Sequence, residues 1–137
     1  MVEGKFKKSN IYLIIGIVFA VLALAFIVLA IAFGIVIIVA AGIEAAVAGY
    51  YITHYFMIKN QYLKIDESGI SGKVINYKGQ KKLTSLNVKL SFVNRCYVKN
   101  GLLILVNQND QNLEIYNLLN PEEVSLKLSE LLANNNQ

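Results

Sequence analysis

The sequence predicts a membrane protein in which a hairpin of two transmembrane helices precedes an all-β domain of about seven antiparallel strands with a C-terminal helix. Three observations lead to this prediction. Residues 11–58 are strongly apolar and contain one charged side chain, Glu44. After Gln61, short runs of apolar and polar residues alternate between turn residues, which is typical of strands. From Pro121 onward the apolar residues recur with the period of a helix.

The apolar stretch is too long for one crossing of a bilayer. A continuous helix over residues 11–58 would extend about 70 Å, against about 30 Å for the hydrocarbon core. We therefore expect two helices, 11–32 and 35–58, with the reversal near Gly34, which is placed by length and by the glycine itself. The same length argues against a cleaved secretory signal, whose apolar core usually runs only about 7 to 15 residues.

Positive charges and aromatic residues predict the orientation. Every lysine and arginine lies before Ser9 or after Ile58, and such residues collect on the cytoplasmic side of membranes. Residues 1–10 are therefore expected to form a basic cytoplasmic N-terminus, with the C-terminus on the same side. Aromatic residues near the start of the first helix and the end of the second are expected to form an interfacial belt at the cytoplasmic face: Tyr12, Tyr50, Tyr51, Tyr55 and Phe56.

Residues 61–133 are predicted to form the β domain, because turn residues divide them into short strands. The predicted strands are 62–66, 70–77, 81–86, 87–92, 95–99, 102–106 and 112–116. The sequence Asp-Glu-Ser-Gly in residues 66–69 favours a type I turn, and Asn100-Gly101 favours a tight hairpin. In residues 87–92 apolar and polar side chains alternate, so one face of this strand is expected in the core.

The last segment of the domain is predicted to be a helix. Asn120 suits the N-cap, Pro121 suits the first helical position, and two carboxylates follow near the positive end of the helix dipole. Four apolar residues then share one helical face: Val124, Leu128, Leu131 and Leu132. We expect this face to cover an opening of the sheets, and residues 134–137 to form a disordered tail.

Four segments of the domain resemble the bacterial pleckstrin-homology (PH) domains that are attached to membrane helices: 64–70, 82–86, 103–104 and 117–124. The resemblance covers residues 62–132 and implies a PH-like sandwich or barrel beside a membrane, with no catalytic residue. Eukaryotic lipid-binding relatives hold phosphoinositides with basic residues around the first hairpin loop, whereas loop 66–69 here is acidic. The next hairpin is cationic, so Lys78, Lys81 and Lys82 are the candidate residues for binding a lipid or a partner.

Glu44 is the candidate functional residue within the apolar stretch. It lies about 15 Å along the second helix from Gly34, near the bilayer midplane, where an acidic group costs about 2.5 to 3.5 kcal/mol. The first helix offers no polar side chain between Tyr12 and Gly34 to pair with it. Two functional hypotheses follow: Glu44 pairs with its copy in a homo-oligomer, or it lies on an ion path.

Small residues on the second helix favour the oligomer over the ion path. Ala41, Ala45 and Gly49 lie four residues apart along the chain, a spacing that lets membrane helices approach closely. The alternative is that these residues pack against alanines of the first helix, with Glu44 tolerated by snorkelling or by thinning of the bilayer.

Several kinds of chemistry lack the residues that they need. Cys96 is the single cysteine, which excludes an internal disulfide and a cysteine-based metal site. His54 is the single histidine, and its position along the helix puts it on a different face from Glu44. No nucleotide-binding glycine loop and no Ser-His-Asp set is present in the sequence. An enzyme, a cofactor and a small-molecule substrate are therefore not expected.

The net charge of +4 is unevenly distributed. Residues 59–100 are basic and the rest of the domain is acidic, so the basic half either attracts an anionic membrane surface or forms a mixed solvated surface. Nucleic-acid binding is not expected, because arginines and aromatic residues are sparse there. We expect a non-catalytic, membrane-tethered binding or scaffolding module of the bacterial inner membrane, which recognises anionic lipid or a membrane protein. The alternative is an oligomeric channel or holin-like protein that uses Glu44.

Overall fold

The structure, a computed structural model, describes residues 1–77 and 82–136. The chain forms two compact units, one of Lys8–Lys59 and one in which Met1–Lys7 joins Asn60–Gln137. We call them the helical unit and the β unit.

The helical unit is a hairpin of α1, Ile11–Phe33, and α2, Val36–Lys59. Gly34 ends α1 with a φ of 99°, a conformation that suits glycine, and its N–H donates to the carbonyl of Ala30 over 3.0 Å. The two helices and the position of the reversal confirm the predicted hairpin, and the helix ends differ from the predicted ones by at most one residue.

Small residues form the seam between α1 and α2. The buried residues of the two helices, apart from Ile58 near the end of α2, are Gly16, Ala23, Ala41 and Ala48. A Cβ atom on Gly16 would lie 2.6 Å from Cγ1 of Ile52, so a larger residue here would push the helices apart. The close approach of two backbones at small residues is typical of paired membrane helices.

Outside this seam the helices expose large apolar side chains. Leu24 is 63% exposed, Val28 66% and Ile31 86%. Each helix is long and apolar enough to cross a membrane, so both are candidate transmembrane helices. Apolar surface of this extent is rare on soluble monomers and marks a surface that contacts lipid or another protein.

Seven strands within the described residues form two antiparallel sheets. The first has the order β1-β2-β3-β4, with β1 Val2–Gly4, β2 Tyr62–Asp66, β3 Gly69–Ile75 and β4 Leu83–Val88. The second has the order β5-β6-β7, with β5 Val93–Lys99, β6 Leu102–Asn107 and β7 Asn112–Ile115. The helix α3, Pro121–Asn135, follows. The predicted class, antiparallel sheets with a C-terminal helix, is confirmed.

The first strand comes from the N-terminal residues, where the sequence pattern predicts no strand. β1 pairs with β2, and Gly4 is the register partner of Leu63. Phe6, which follows β1, is 7% exposed and forms an isolated β-bridge with Leu118. The basic N-terminal segment is therefore built into the β unit, and the helical hairpin is an insertion between its first and second strands.

The predicted strand over residues 87–92 is wrong. β4 ends at Val88, and Leu90–Phe92 form a turn of 3₁₀ helix in which Phe92 N–H donates to the Lys89 carbonyl. Leu90 is 5% exposed whereas Phe92 is 60% exposed, so the two do not share a buried face. The alternation arises where the chain passes from one sheet to the other, and three apolar residues are too few to distinguish a strand from such a connection.

The core of the β unit lies between the two sheets and α3. Its most deeply buried side chains, all at most 2% exposed, include Leu63, Ile65, Ile70, Val74, Leu103, Ile115, Val124 and Leu128. The predicted apolar face of α3 therefore packs inward. The helix continues to Asn135, whereas the sequence predicts a tail from residue 134.

Asn120 stands at the N-cap of α3 as predicted, but its side chain bonds elsewhere. Its Oδ1 accepts from the backbone N–H of Lys5 over 2.7 Å, and its Nδ2 donates to the Glu3 carbonyl over 3.2 Å and to the carboxylate of Glu123 over 2.9 Å. Asn120 thus ties the start of the helix to the N-terminal strand.

Candidate functional site

The two sheets of the β unit meet at one corner. At the end of β3, the N–H of Tyr77 donates to the Glu114 carbonyl over 2.8 Å, and the N–H of Tyr116 donates to the Ile75 carbonyl over 3.3 Å. Ile75 also pairs with Leu83, the first residue of β4. β4 and β7 therefore both lead away from this corner, each as the last strand of its sheet.

A cleft of about 500 Å³ opens between β4 and β7. We call it the edge cleft. Its apolar lining is Leu86, Val88, Phe92, Val93, Leu105 and Leu113, with Val106 beside them. Its polar lining consists of side-chain amides: Asn87, Asn107, Gln108, Asn109, Gln111 and Asn112. No charged residue lines the cleft among the residues that the structure describes.

The turn between β6 and β7 holds part of the amide rim in place. Oδ1 of Asn107 accepts from the N–H groups of Asn109 and Gln111, each over 2.9 Å, and its Nδ2 donates to Oε1 of Gln111 over 3.0 Å. Nε2 of Gln108 donates to the Ser91 carbonyl over 3.3 Å. These bonds fix the rim before any ligand arrives.

Three further amides of the rim remain available. Asn87, Asn109 and Asn112 are exposed, and their side chains make no hydrogen bond to another residue in the described part of the chain. Each such amide offers both donors and acceptors, as a peptide backbone does. The rim can therefore bond to a backbone without selecting a charge.

The backbone of β7 also has an open edge toward the cleft. Glu114 uses its N–H and carbonyl on that side, bonding to Asn76 Oδ1 and to the N–H of Tyr77. Backbone groups two residues apart in a strand point to the same side, so those of Asn112 point into the cleft. An apolar floor beside an unpaired strand edge can accept an extended chain segment.

The sequence pattern does not find this cleft. The run of amides in residues 107–112 reads only as a loop, and Phe92 reads as part of a strand. The sequence feature that could indicate the cleft is the run of uncharged amides next to apolar strand residues. It indicates a cleft only once β4 and β7, which are distant in sequence, are known to lie on either side of it.

Only part of the predicted cationic hairpin lies within the described residues. Lys78 and Lys81 lie outside the described residues. Lys82 is exposed, and its carbonyl accepts from the Thr84 hydroxyl over 3.3 Å. Lys82 is not among the residues that line the edge cleft.

The predicted intramembrane candidates fall on two faces of α2. Ala41 is buried in the seam with α1, and Glu44 is half-buried, with Oε2 enclosed and without a hydrogen-bond partner in the described residues. Ala45 and Gly49 are exposed on the outer side, and a Cβ on Gly49 would meet nothing within 4 Å. The small residues and Glu44 therefore do not form one common surface.

Aromatic rings cluster at the end of the hairpin where α1 begins and α2 ends. The ring of Tyr12 lies 4.7 Å from that of His54 and 6.2 Å from that of Tyr51, measured between centroids. This is the grouping that the predicted belt requires. His54 belongs to this cluster, separate from Glu44.

Cys96 packs against two serines of α3. Its Sγ lies 3.4 Å from the Ser125 carbonyl oxygen and 3.4 Å from the Ser129 hydroxyl, where β5 packs on α3. Among the residues in 1–77 and 82–136, no group of three or more metal-binding side chains occurs.

Comparisons of the chain with family models, with curated proteins and with solved structures found no match.

Proposed function

We propose that this chain is a non-catalytic, membrane-tethered binding module, in which a PH-like domain holds an extended, uncharged segment of a partner protein in the edge cleft. The observation that carries the proposal is the cleft itself. It combines an apolar floor, an amide rim and an open strand edge, with no charge among its described lining residues.

The chemistry of the cleft selects this occupant. A charged side chain would lose its hydration there without gaining a counter-ion, which is costly. An acyl chain would cover the apolar floor but leave the amides and the strand edge without partners. An extended peptide satisfies both parts, since its backbone bonds to the edge and alternate side chains enter the floor.

The PH-like assignment is supported by the strand order and by the resemblance of the sequence. Two antiparallel sheets of four and three strands, followed by a C-terminal helix, agree with the kind of sandwich that the resemblance implies, with the difference that the first strand, Val2–Gly4, lies outside residues 62–132. Such a fold hosts many binding functions, so the cleft rather than the fold decides the ligand.

The membrane anchor is supported by the way the hairpin is inserted. Gly4 pairs with Leu63, so the chain leaves one folded domain before α1 and returns to it after α2. A chain that leaves and re-enters one domain crosses a bilayer an even number of times. With the lysines at the same end, we propose that the domain and both termini lie at the cytoplasmic face of a bacterial inner membrane. Tethering raises the effective concentration of a partner in that membrane, so modest affinity suffices.

A peptide selection tests the proposal. A library of random peptides would be selected against the full chain in lipid nanodiscs, and the enriched peptides measured for affinity. We expect the selected peptides to be uncharged, with apolar residues at alternate positions. Phe92→Ala should lower the affinity for these peptides about tenfold, or by about 1.4 kcal/mol. Phe92 is 60% exposed, so its truncation leaves the core intact.

The matched control is Leu126→Ala, at a leucine of α3 that is 66% exposed and outside the cleft. It should leave peptide affinity unchanged. Enriched peptides that carry charges throughout, or that bind the Phe92→Ala variant as tightly as the wild type, would contradict the proposal.

A second candidate function is the membrane-active oligomer, channel or holin-like. The observation that favours it is the enclosed Oε2 of Glu44, which has no hydrogen-bond partner in the described residues. Ion flux into liposomes is the test, with Glu3→Gln as the control for loss of one carboxylate. Flux that disappears with Glu44→Gln and persists with Glu3→Gln would support this function over the scaffold.

A further inference from the structure

The helical unit carries a second cleft, of about 150 Å³, at the end where α1 begins and α2 ends. It is lined by Lys8, Ser9, Asn10, Tyr55, Ile58 and Lys59. All six residues belong to the helical unit. The site is thus complete within the hairpin.

Two lysines give the lining a positive charge. Lys8 and Lys59 are the first and last residues of the helical unit, and no carboxylate lines the cleft among the described residues. Neither lysine forms a salt bridge within the part of the chain that the structure describes. The ammonium group of Lys59 lies 5.8 Å from the centroid of the Tyr55 ring, which stabilises it beside the cleft.

Neutral donors and an apolar wall complete the cleft. The Ser9 oxygen accepts from the N–H of Ile11 over 3.3 Å, so its own hydroxyl hydrogen is free to donate. The Asn10 side chain makes no capping bond to α1. Ile58 is 5% exposed and closes one side.

We infer that this cleft binds the phosphate of an anionic phospholipid headgroup, with Lys8 and Lys59 on either side of the phosphate oxygens and Ser9 and Asn10 as neutral donors. The inference rests on the proposed membrane anchor, because the cleft lies at the end of two candidate transmembrane helices, where headgroup phosphates are concentrated. A lipid headgroup and soluble phosphate would both bind through their phosphate oxygens. The cleft favours the lipid, because Tyr55 and Ile58 provide an apolar wall toward the hairpin. Lipid recognition is thereby assigned to the hairpin rather than to the cationic loop of the β domain.

The test uses the full chain in nanodiscs that contain equal amounts of phosphatidylglycerol and phosphatidylcholine. After extraction, native mass spectrometry measures which lipid stays bound. We expect the wild type to retain phosphatidylglycerol preferentially. In K8Q/K59Q, each of the two substitutions should reduce that preference about fivefold. K8R/K59R should retain it, because both charges remain.

The matched control is K64Q/K73Q, which removes two exposed lysines from the β unit and should keep the wild-type preference. Loss of preference in K64Q/K73Q equal to that in K8Q/K59Q would overturn the inference. So would displacement of the lipid by excess inorganic phosphate, which would identify soluble phosphate as the ligand.

Failure of this inference is distinguishable from failure of the proposed function. A wild type that stays in the membrane and binds the selected peptides, while K8Q/K59Q retains the lipid unchanged, defeats only the headgroup site. Recovery of the wild type in the soluble fraction defeats the anchor.

Discussion

The helical unit and the β unit are made largely of the same aliphatic residues and place them in opposite ways. Leu24 of α1 is 63% exposed, whereas Leu63 of β2 is 2% exposed. The β unit covers its apolar side chains with its own sheets and helix, so it behaves as a small globular domain. In the helical unit the buried residues are mostly the small ones of the seam, and large apolar side chains outside the seam are exposed. Such exposed apolar surface marks contact with lipid or with another protein. The placement of apolar residues, more than their number, therefore separates the two kinds of unit.

The largest effect is expected in the core of the β unit. Leu128→Ala removes a leucine of α3 that is 0% exposed, so we expect a loss of about 2 to 5 kcal/mol in the free energy of unfolding. Leu126→Ala, two residues earlier on the same helix at 66% exposure, should change it by less than about 0.5 kcal/mol. Denaturant unfolding of the full chain, followed through the β-sheet signal, measures both. Equal losses would show that α3 does not cover the core.

The next largest effect is expected at the N-terminal strand, which packs as part of the core of the β unit. A Cβ on Gly4 would lie 2.9 Å from Cβ of Leu63 and 2.8 Å from Cδ1 of Leu118, so Gly4→Ala should cost about 1 to 3 kcal/mol by overpacking. Glu3→Ala, at an exposed neighbouring side chain, is the control and should cost little. The same unfolding measurement applies. A Gly4→Ala variant as stable as the wild type would mean that the segment is only a basic arm.

The seam of the hairpin should respond like a core although the rest of the helical unit does not. Gly16→Ala places a Cβ 2.6 Å from Cγ1 of Ile52, whereas a Cβ on Gly42 would meet nothing within 4 Å. We expect Gly16→Ala to weaken helix pairing by about 1 kcal/mol and Gly42→Ala to leave it unchanged. Distances between spin labels on α1 and α2, measured during titration with a denaturing detergent, report the pairing. If Gly42→Ala weakens it as much, the outer face is also a contact surface.

The smallest effect concerns the turn between β2 and β3. The Ser68 hydroxyl and the Ser68 N–H both donate to the Asp66 carboxylate, and these bonds lower the pKa of Asp66 below its ordinary value. A lowered folded-state pKa adds stability that is present above the unfolded value and is lost as pH falls through the folded value. Ser68→Ala should therefore raise the Asp66 pKa and shift the acid loss of stability to higher pH. Carboxyl chemical shifts in an NMR titration check this, with Ser71→Ala as the control. An unmoved Asp66 pKa in Ser68→Ala would contradict it.

The parts of the fold that could be predicted from sequence are those with local causes. The hairpin follows from the length of the apolar stretch, and α3 follows from Pro121 and the spacing of its leucines. β1 could not be predicted in this way, because its three residues show no periodicity and pair with residues about sixty positions later. The 3₁₀ turn at Leu90–Phe92 was predicted as part of a strand, because three alternating apolar residues are too few to define a period.

The candidate sites were harder to predict than the fold, since each depends on residues brought together from distant segments. The edge cleft lies between β4 and the turn before β7, and the cleft of the helical unit lies between Lys8 and Lys59. Residues that the sequence predicts to act together within the membrane, such as Glu44 and Gly49, lie on different faces of α2. Adjacency in sequence is a weak guide to a shared surface when only three or four side chains are involved.

The most direct test is the accessibility of single cysteines in intact cells, on a background in which Cys96 is replaced by serine. We expect an impermeant maleimide to label Ile35→Cys, at the hairpin turn, from outside, and to label Glu3→Cys and Asn109→Cys, both in the β unit, only after the membrane is opened. That pattern requires a hairpin that crosses the bilayer and returns to one domain. Labelling of all three positions from the same side would contradict the account.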